Sequence, residues 1–513
     1  MSELVIAHIS DTHITNGPEF RKDFFMKAID EINGLTPDLV IHTGDLTSDG
    51  LKEDFQMAKD LLSWFDIKPI VLMGNHDSKN VGYRLFEDYI GPRDPIHEDE
   101  NFLFIGVDSS IPDRNEGLFG RMHMRWVADV LRKKGDGKVK ILGFHHHIVP
   151  VPNAGRERSM IFDAGNVLKM ILDYGVDIVL NGHRHVCNIY RVEDTAIINA
   201  GTLTHVKTRA YHGQSYNVIR ISDKEARVTI RRMDSDSKEE CITKVGCEER
   251  LIHVDLPRIA RVIQISDTHF ERGDLFHRMV YESAVRIING LRPDIVVHCG
   301  DVTEDGMPES FEMARRLLKK IKAPMIIVPG PNDFMNMGDL IFEDYIGTLS
   351  PIFRDENFIV VGVNSVHRDC EGGVIGRTSL RQILEELVRQ NHEVIRFLSF
   401  HHHLMPLPHV REEHALEDAG NVLASVIGNA DVVLTGHRHI SSSLMIDGCL
   451  VSNCGTLSNR KYQNPYGNTF NMIDVFNNGS AVVSEINVPT GLRRIVGVYK
   501  IRPEVKDHEK ARK

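Results

Sequence analysis

The chain has 513 residues, 42% hydrophobic and 26% charged, with a formal charge of −11 when histidine is neutral. That length exceeds one ordinary domain and suits two to four. The acidic balance argues against a surface that coats nucleic acid, and no apolar run is long enough to span a bilayer.

In chain order, Leu4–Ile9 reads as a buried strand. A helix over Phe24–Ile32 follows from the spacing of Phe24, Ala28, Ile29 and Ile32, with Gly34 able to stop it. Leu39–Ile41 is the next strand, and Leu51–Phe65 a second helix with Phe55, Ala58, Leu62 and Phe65 on one side. The apolar run Pro69–Met73 predicts a strand that ends at Gly74-Asn75-His76-Asp77. Further on come a strand over Phe102–Val107, a helix over Arg125–Leu131 and a strand over Lys140–Phe144. A helix over Asn166–Tyr174 leads into the strand Asp177–Leu180, and strands follow at Thr195–Ile198, Tyr216–Ile221 and Arg227–Arg231. Alternating strands and helices predict an α/β domain, and the late strands predict a second, mixed or antiparallel sheet.

The second half repeats the first. Ile9-Ser10-Asp11-Thr12-His13 returns as Ile265 to His269, and His42-Thr43-Gly44-Asp45 as His298 to Asp301, both at an offset of 256. Phe144-His145-His146-His147 returns as Phe400 to His403, and Gly182-His183-Arg184-His185 as Gly436 to His439, the last at an offset of 254. This is a whole-domain duplication. The expected division is 1–240 and 251–500 with a charged, frayed tail at 501–513, the join falling between about Asp234 and Pro257. Asp234 to Glu240 is the stretch expected to be most exposed. The two copies are expected to pack as an intramolecular pseudo-dimer, because duplicated domains often derive from two-fold homodimers. Seven scattered cysteines without a Cys-x-x-Cys pair read as reduced thiols. Met1-Ser2-Glu3-Leu4 lacks a basic start followed by an apolar signal core. A cytoplasmic, membrane-free protein is therefore expected.

Twenty-seven histidines, many in repeated clusters, point to metal. Asp11, His13, Asp45, Asn75, His145, His183 and His185 all lie at the ends of apolar runs. On an extended chain, residues i and i+2 point the same way, so Asp11 and His13 can converge on one ion, as can His183 and His185. Ligands at the carboxyl ends of neighbouring strands face a common crevice. Mixed carboxylate and imidazole donors suit Mn, Fe, Co or Zn. In the triplet, His145 and His147 would share a face and His146 the other. His42 and His298 read as core or supporting residues, Lys207 and Arg209 as surface charge, and His123 carries no functional claim.

The order Asp-x-His, Gly-Asp, Gly-Asn-His-Asp, His, Gly-His-x-His resembles the calcineurin-like metallophosphoesterase superfamily in both halves. The His-His-His-x-x-Pro form is most similar to its cyclic-nucleotide and glycerophosphodiester phosphodiesterase branch. The resemblance implies two tandem α/β/β/α sandwiches with mixed sheets. It implies one ion on Asp11, His13, Asp45 and His185, and another on Asp45, Asn75, His145 and His183, with Asp45 bridging and His145 chosen from the triplet. Two such ions clamp a phosphoryl group and make hydroxide available near neutral pH. His76 would stabilise the phosphoryl group or protonate the leaving oxygen, and Asp77 would orient His76 or cap the following turn. Arg156 and Arg158 lie in a polar loop that borders substrate in similar enzymes.

In the second copy Asp267, His269, Asp301 and His439 would hold one ion. Asp301, His401 and His437 offer three ligands to another. There Pro331 and Asn332 stand where the first copy has Asn75 and His76, so one or two ions and little turnover are expected, with Asn332 a possible substitute ligand. The function implied is hydrolysis of a small phosphodiester, including a cyclic nucleotide, with nucleic acid disfavoured as substrate. The competing readings are a phosphomonoesterase or nuclease on the same metal core, and a metal-binding regulatory scaffold, above all in the second half.

Overall fold

The computed structural model describes residues 3–156, 160–209, 213–222, 225–246, 257–368, 371–390, 393–411, 415–463 and 465–502. The chain forms two compact units, Met1–Glu249 with Pro408–Glu412, and Arg250–Leu407 with Glu413–Lys513.

The first unit contains β1 (Leu4–Ile9), α1 (Lys22–Leu35), β2 (Leu39–His42), α2 (Lys52–Leu62), β3 (Ile70–Val71) and α3 (Gly82–Tyr89). It continues with β4 (Ile96–Glu98), β5 (Phe102–Gly106), α4 (Arg121–Lys134), β6 (Val139–Gly143), α5 (Ala164–Asp173) and β7 (Ile178–Asn181). Five strands complete it: β8 (Asn188–Val192), β9 (Thr195–Asn199), β10 (Ser215–Ser222), β11 (Glu225–Arg232) and β12 (Lys238–Lys244). One sheet has the order β12-β11-β10-β1-β2-β3, the other β8-β9-β7-β6-β5-β4. In the first sheet β1, β2 and β3 run parallel, and β10 to β12 extend it antiparallel. In the other, β5, β6, β7 and β9 are parallel, and β4 and β8 pair antiparallel with β5 and β9.

Side-chain alternation explains the layering. Ile6, Leu39 and Ile41 pack with Phe104, Ile141, Ile178 and Ile198 in a core between the sheets. Their neighbours Ala7, Ile9 and Val40 face the other way, onto Phe25, Ala28, Ile29, Phe55 and Ala58 of α1 and α2. Both faces of the parallel strands are thus apolar, and these strands read as continuous hydrophobic runs rather than alternating ones.

The second unit repeats the plan. Arg258–Ile265, Ile295–His298 and Met325–Ile327 run parallel, and Thr469–Phe476, Ser480–Asn487 and Arg493–Lys500 extend that sheet antiparallel. Its other sheet carries Phe358–Gly362, Ile395–Ser399, Val432–Thr435 and Cys449–Asn453 in parallel.

The structure departs from the sequence reading at two strands. Asn188–Val192 is a strand that the polar Asn188 and Arg191 disguised. Lys238–Lys244, whose start falls in the stretch expected as exposed linker, is the edge strand β12. Five of its seven residues are exposed and four are charged, a pattern suited to a sheet edge that must not recruit another chain. Of the expected frayed tail, Ile501 and Arg502 are described, and Arg502 pairs with Asp431; the remaining tail lies outside the described residues.

Candidate functional site

The functional side chains leave the carboxyl ends of parallel strands, Asp11 and His13 after β1, Asp45 after β2, Asn75 and His76 after β3, His145 after β6, and His183 and His185 after β7. They do not sit on extended chain, which corrects the strand-alternation argument. Asp11, His13, Asp45, His183 and His185 all have left-handed backbone, with φ of 52°, 46°, 54°, 73° and 55°. Convergence of each i, i+2 pair comes from this alternation of left-handed residues in loops. Non-glycine residues in that region cost of order 1–3 kcal/mol each, so the surrounding bonding must hold them.

That bonding is visible. The loops after β1 and β2 are laced by Asp11 N–H to Gly44 O (3.0 Å), His13 N–H to Asp45 O (2.9 Å) and Ile14 N–H to Leu46 O (2.7 Å). Thr202 and Thr204 hydroxyls donate to the Asp11 and Thr12 carbonyls. Gly74 passes so near Asp45 that a Cβ there would lie 2.2 Å from its backbone nitrogen and Oδ1. Only glycine fits that approach.

Two donor groups meet at Asp45. His13 Nε2 lies 3.7 Å and His145 Nε2 3.3 Å from Asp45 Oδ2. On one side His185 Nε2 is 3.1 Å from His13 Nε2 and 3.3 Å from Asp11 Oδ1. On the other, Asn75 Oδ1 is 3.1 Å from His145 Nε2 and 3.0 Å from His183 Nδ1. The ring of His146 turns away to Ser109 Oγ and Asn115 O, and burial together with His145 holds it well below its ordinary pKa. The structure therefore brings Asp11, His13, Asp45, Asn75, His145, His183 and His185 together.

These atoms fit a cation. Backbone carbonyls of Thr43 and Lys207 accept from Nδ1 of His145 and His185 at 2.7 and 2.8 Å. Nδ1 is therefore protonated, which leaves Nε2, the nitrogen facing the carboxylates, as the one that can give its lone pair to a metal. Asp11 Oδ1 is buried with no hydrogen-bond partner. Burial would lower His145, yet the adjacent Asp45 pushes it up to about 9, and burial would raise Asp45, yet His145 and His76 hold it well below the usual carboxylate range. Positive charge belongs among these groups, and a metal ion satisfies several of them at once.

His76 stands at the mouth. Its backbone N–H donates to Asp45 Oδ1 at 2.7 Å, and its ring meets that of His13 edge-on with centroids 4.5 Å apart. Its Nδ1 lies 2.6 Å from Ser48 O and 2.9 Å from Lys79 Nζ. Asp77 does not touch that ring, which corrects its expected role. Its carboxylate accepts from the N–H groups of Gly74, Leu46 and Thr47 and from Thr47 Oγ1, at 2.7 to 3.0 Å. Asp77 thus ties the turn after β3 to the loop after β2. Burial and the charge of Asp45 push it up to about 6, against the pull of those donors.

Three residues escaped the sequence reading. Lys79 sits one turn beyond His76, and Ser48 supplies its backbone carbonyl. His205 packs beside His13 and His185, with ring centroids 4.6 and 5.4 Å away. Each differs from its counterpart at the repeat offset, Met335, Glu304 and Asn459, and that difference was the available signal. Arg156 is exposed and offers its carbonyl to Arg184, while Arg158 lies outside the described residues. Lys207 is exposed, but its carbonyl holds His185. His42 is buried, bonded to Thr12 Oγ1 and the Gly44 N–H.

In the second unit Asp267, His269, Asp301, His437 and His439 are again left-handed, with φ of 53°, 48°, 50°, 79° and 55°. His439 Nε2 is 3.1 Å from His269 Nε2 and 3.2 Å from Asp267 Oδ1. His401 Nε2 is 3.5 Å from Asp301 Oδ2 and 3.2 Å from His437 Nδ1. Among the described residues no side chain takes the place of Asn75. Pro331 has none to offer, and Asn332 bends to Glu304 O (3.1 Å) and His269 Nδ1 (3.4 Å), not toward His401 and His437. Asn332 is not the substitute ligand.

A calcineurin-like phosphoesterase family model matches residues 4–187, and a calcineurin-like phosphoesterase superfamily domain model matches residues 261–478. Over 177 residues the chain is 32% identical to a probable glycerophosphodiester phosphodiesterase GpdQ of Arcobacter nitrofigilis, covering 30% of this chain and 64% of that one. Over 224 residues it is 26% identical to a cAMP/cGMP dual specificity phosphodiesterase of Mycobacterium tuberculosis, covering 40% and 64%. Each match therefore spans just under two thirds of the relative. Among solved structures, a purple acid phosphatase PPD1 of yellow lupin superposes with a TM-score of 0.37 at 11% identity, covering 57% of this chain and 60% of that one. The chain belongs to the calcineurin-like phosphoesterase superfamily and carries two tandem metallophosphoesterase domains.

Proposed function

We propose that the first domain hydrolyses a small phosphodiester, cyclic nucleotides included, at a two-ion centre. The observation that carries this reading is the meeting of two donor groups on Asp45 Oδ2, with the His76 ring beside them. Asp11, His13, Asp45 and His185 would hold one ion, and Asp45, Asn75, His145 and His183 the other. Two such ions, of Mn, Fe, Zn or Co character, supply charge stabilisation for the phosphoryl oxygens when bound. His76 lies where it can hold or pass a proton at its Nε2, because its Nδ1 edge is occupied by Ser48 O and Lys79. Asp77 keeps the loops that carry Asp45 and His76 in one geometry. The names of the relatives support the diester class.

The second domain supports a different reading, a metal-binding module with little turnover. Its first donor group is complete, but Pro331 removes a ligand to the other and Asn332 replaces the His76 imidazole.

The test is metal analysis of the purified chain, then a screen of phosphomonoesters, diesters and cyclic nucleotides with the metal found. Asp45→Asn should abolish turnover and Asp301→Asn should leave most of it. The opposite result would assign the working site to the second domain, and a preference for monoesters would remove the diester reading.

A further inference from the structure

Glu304 separates the two sites. It occupies the position of Ser48 at the constant offset of 256. In the first domain Nδ1 of His13 is buried and has no hydrogen-bond partner. In the second, Glu304 Oε2 lies 2.7 Å from Nδ1 of the equivalent His269. Nε2 of His269 faces Asp267, Asp301 and His439. The carboxylate therefore grips the ring from the side away from the donor cluster. Such a partner fixes ring orientation and makes the imidazole a stronger donor, and losing one typically costs 10–100-fold in metal affinity.

The same carboxylate changes the mouth of the site. His13 is flanked by the rings of His76 and His205, groups suited to an anionic phosphoester. Around His269 the corresponding side chains are Asn332 and Asn459, both turned to Glu304, with Asn332 Nδ2 on its carbonyl and Asn459 Nδ2 3.4 Å from Oε2. Lys461 Nζ approaches Oε1 at 3.6 Å but is itself 67% exposed, so solvent screens much of its charge. The Glu304 side chain is 18% exposed. Amides thus replace two imidazoles at the entrance, and a carboxylate stands in place of Ser48.

We propose that Glu304 makes the second domain a site that retains one divalent ion and turns phosphate away. Glu304 is a positioning residue for His269, and an electrostatic barrier to an anion. The proposal rests on the reading of Asp267, His269, Asp301 and His439 as ion ligands.

The experiment uses the full chain carrying Asp45→Asn, loaded with Zn²⁺, with release of zinc followed by a chromogenic chelator. Glu304→Gln keeps the shape and removes the charge, and is expected to release the ion 10–100-fold faster. Equal release rates overturn the retention half. Titration with inorganic phosphate by calorimetry tests the other half. Binding is expected to appear in Glu304→Ala and to be absent with Glu304 present, and equal binding overturns it. Zinc missing from the Asp45→Asn protein itself, with its fold intact by circular dichroism, overturns the ligand reading on which the proposal rests, and the proposal with it.

Discussion

The Nδ1 of His76 has two neighbours with opposite demands. Ser48 O requires a proton on that nitrogen, and a charged Lys79 requires a lone pair. Whichever holds, Nε2 is the free end. His76→Ala should therefore leave metal content unchanged and reduce turnover by about 10²–10⁴-fold, the range for losing a positioned proton donor or acceptor. Turnover equal to wild type would remove His76 from the reaction. Asn75→Ala should show the converse, a lower metal stoichiometry read by mass spectrometry. Asp77 belongs to neither group. Asp77→Ala strands three buried N–H donors and a hydroxyl, and should lower stability by about 3 kcal/mol or more in urea unfolding.

At the scale of an element, α4 begins beside a titrating pair. His123 Nε2 lies 3.4 Å from Asp94 Oδ2. The hydrogen bond to Asp94 raises His123 above 6.5. Asp94, which burial would raise, is lowered by the same bond. The His123 contribution is full below pH 6.5 and fades as pH rises through its raised pKa, and the Asp94 contribution fades as pH falls below 3.8. His123→Gln should flatten the pH dependence of the urea midpoint above pH 6.5; parallel curves for the two proteins would show that the pair contributes nothing.

Elements also show what the sequence could carry. The parallel strands were legible because they are buried on both faces, and their ends marked the ligands. The strands β8 and β12 were not, since their polar residues read like those of a loop. Left-handed backbone at Asp11 or His183 leaves no trace in residue type, because aspartate and histidine serve equally well in an extended chain. The bend of Asn332 toward Glu304 O depends on a contact 28 positions away, which no local pattern encodes. The Asp77 contacts are similarly distant, 30 and 31 positions to Thr47 and Leu46.

For the whole chain, the two-ion reading makes ion loading and folding one equilibrium. Binding to the folded state alone stabilises it by RT ln(1 + [L]/Kd), about 2.7 kcal/mol at a hundredfold excess over Kd. Chelation should lower the unfolding temperature, and calorimetry with EDTA against metal-loaded protein checks it; an unchanged transition would exclude ions from both clusters. The left-handed aspartates and histidines of the two donor clusters, five in each domain, give that coupling a direction. Each would relax if replaced by glycine, so a variant stripped of ligands gains a looser, more comfortable loop and loses its dependence on the ion. The natural chain has the opposite arrangement. Under the two-ion reading its resistance to proteolysis should follow the free ion concentration around it, and the amount of intact protein should become a readout of ion supply.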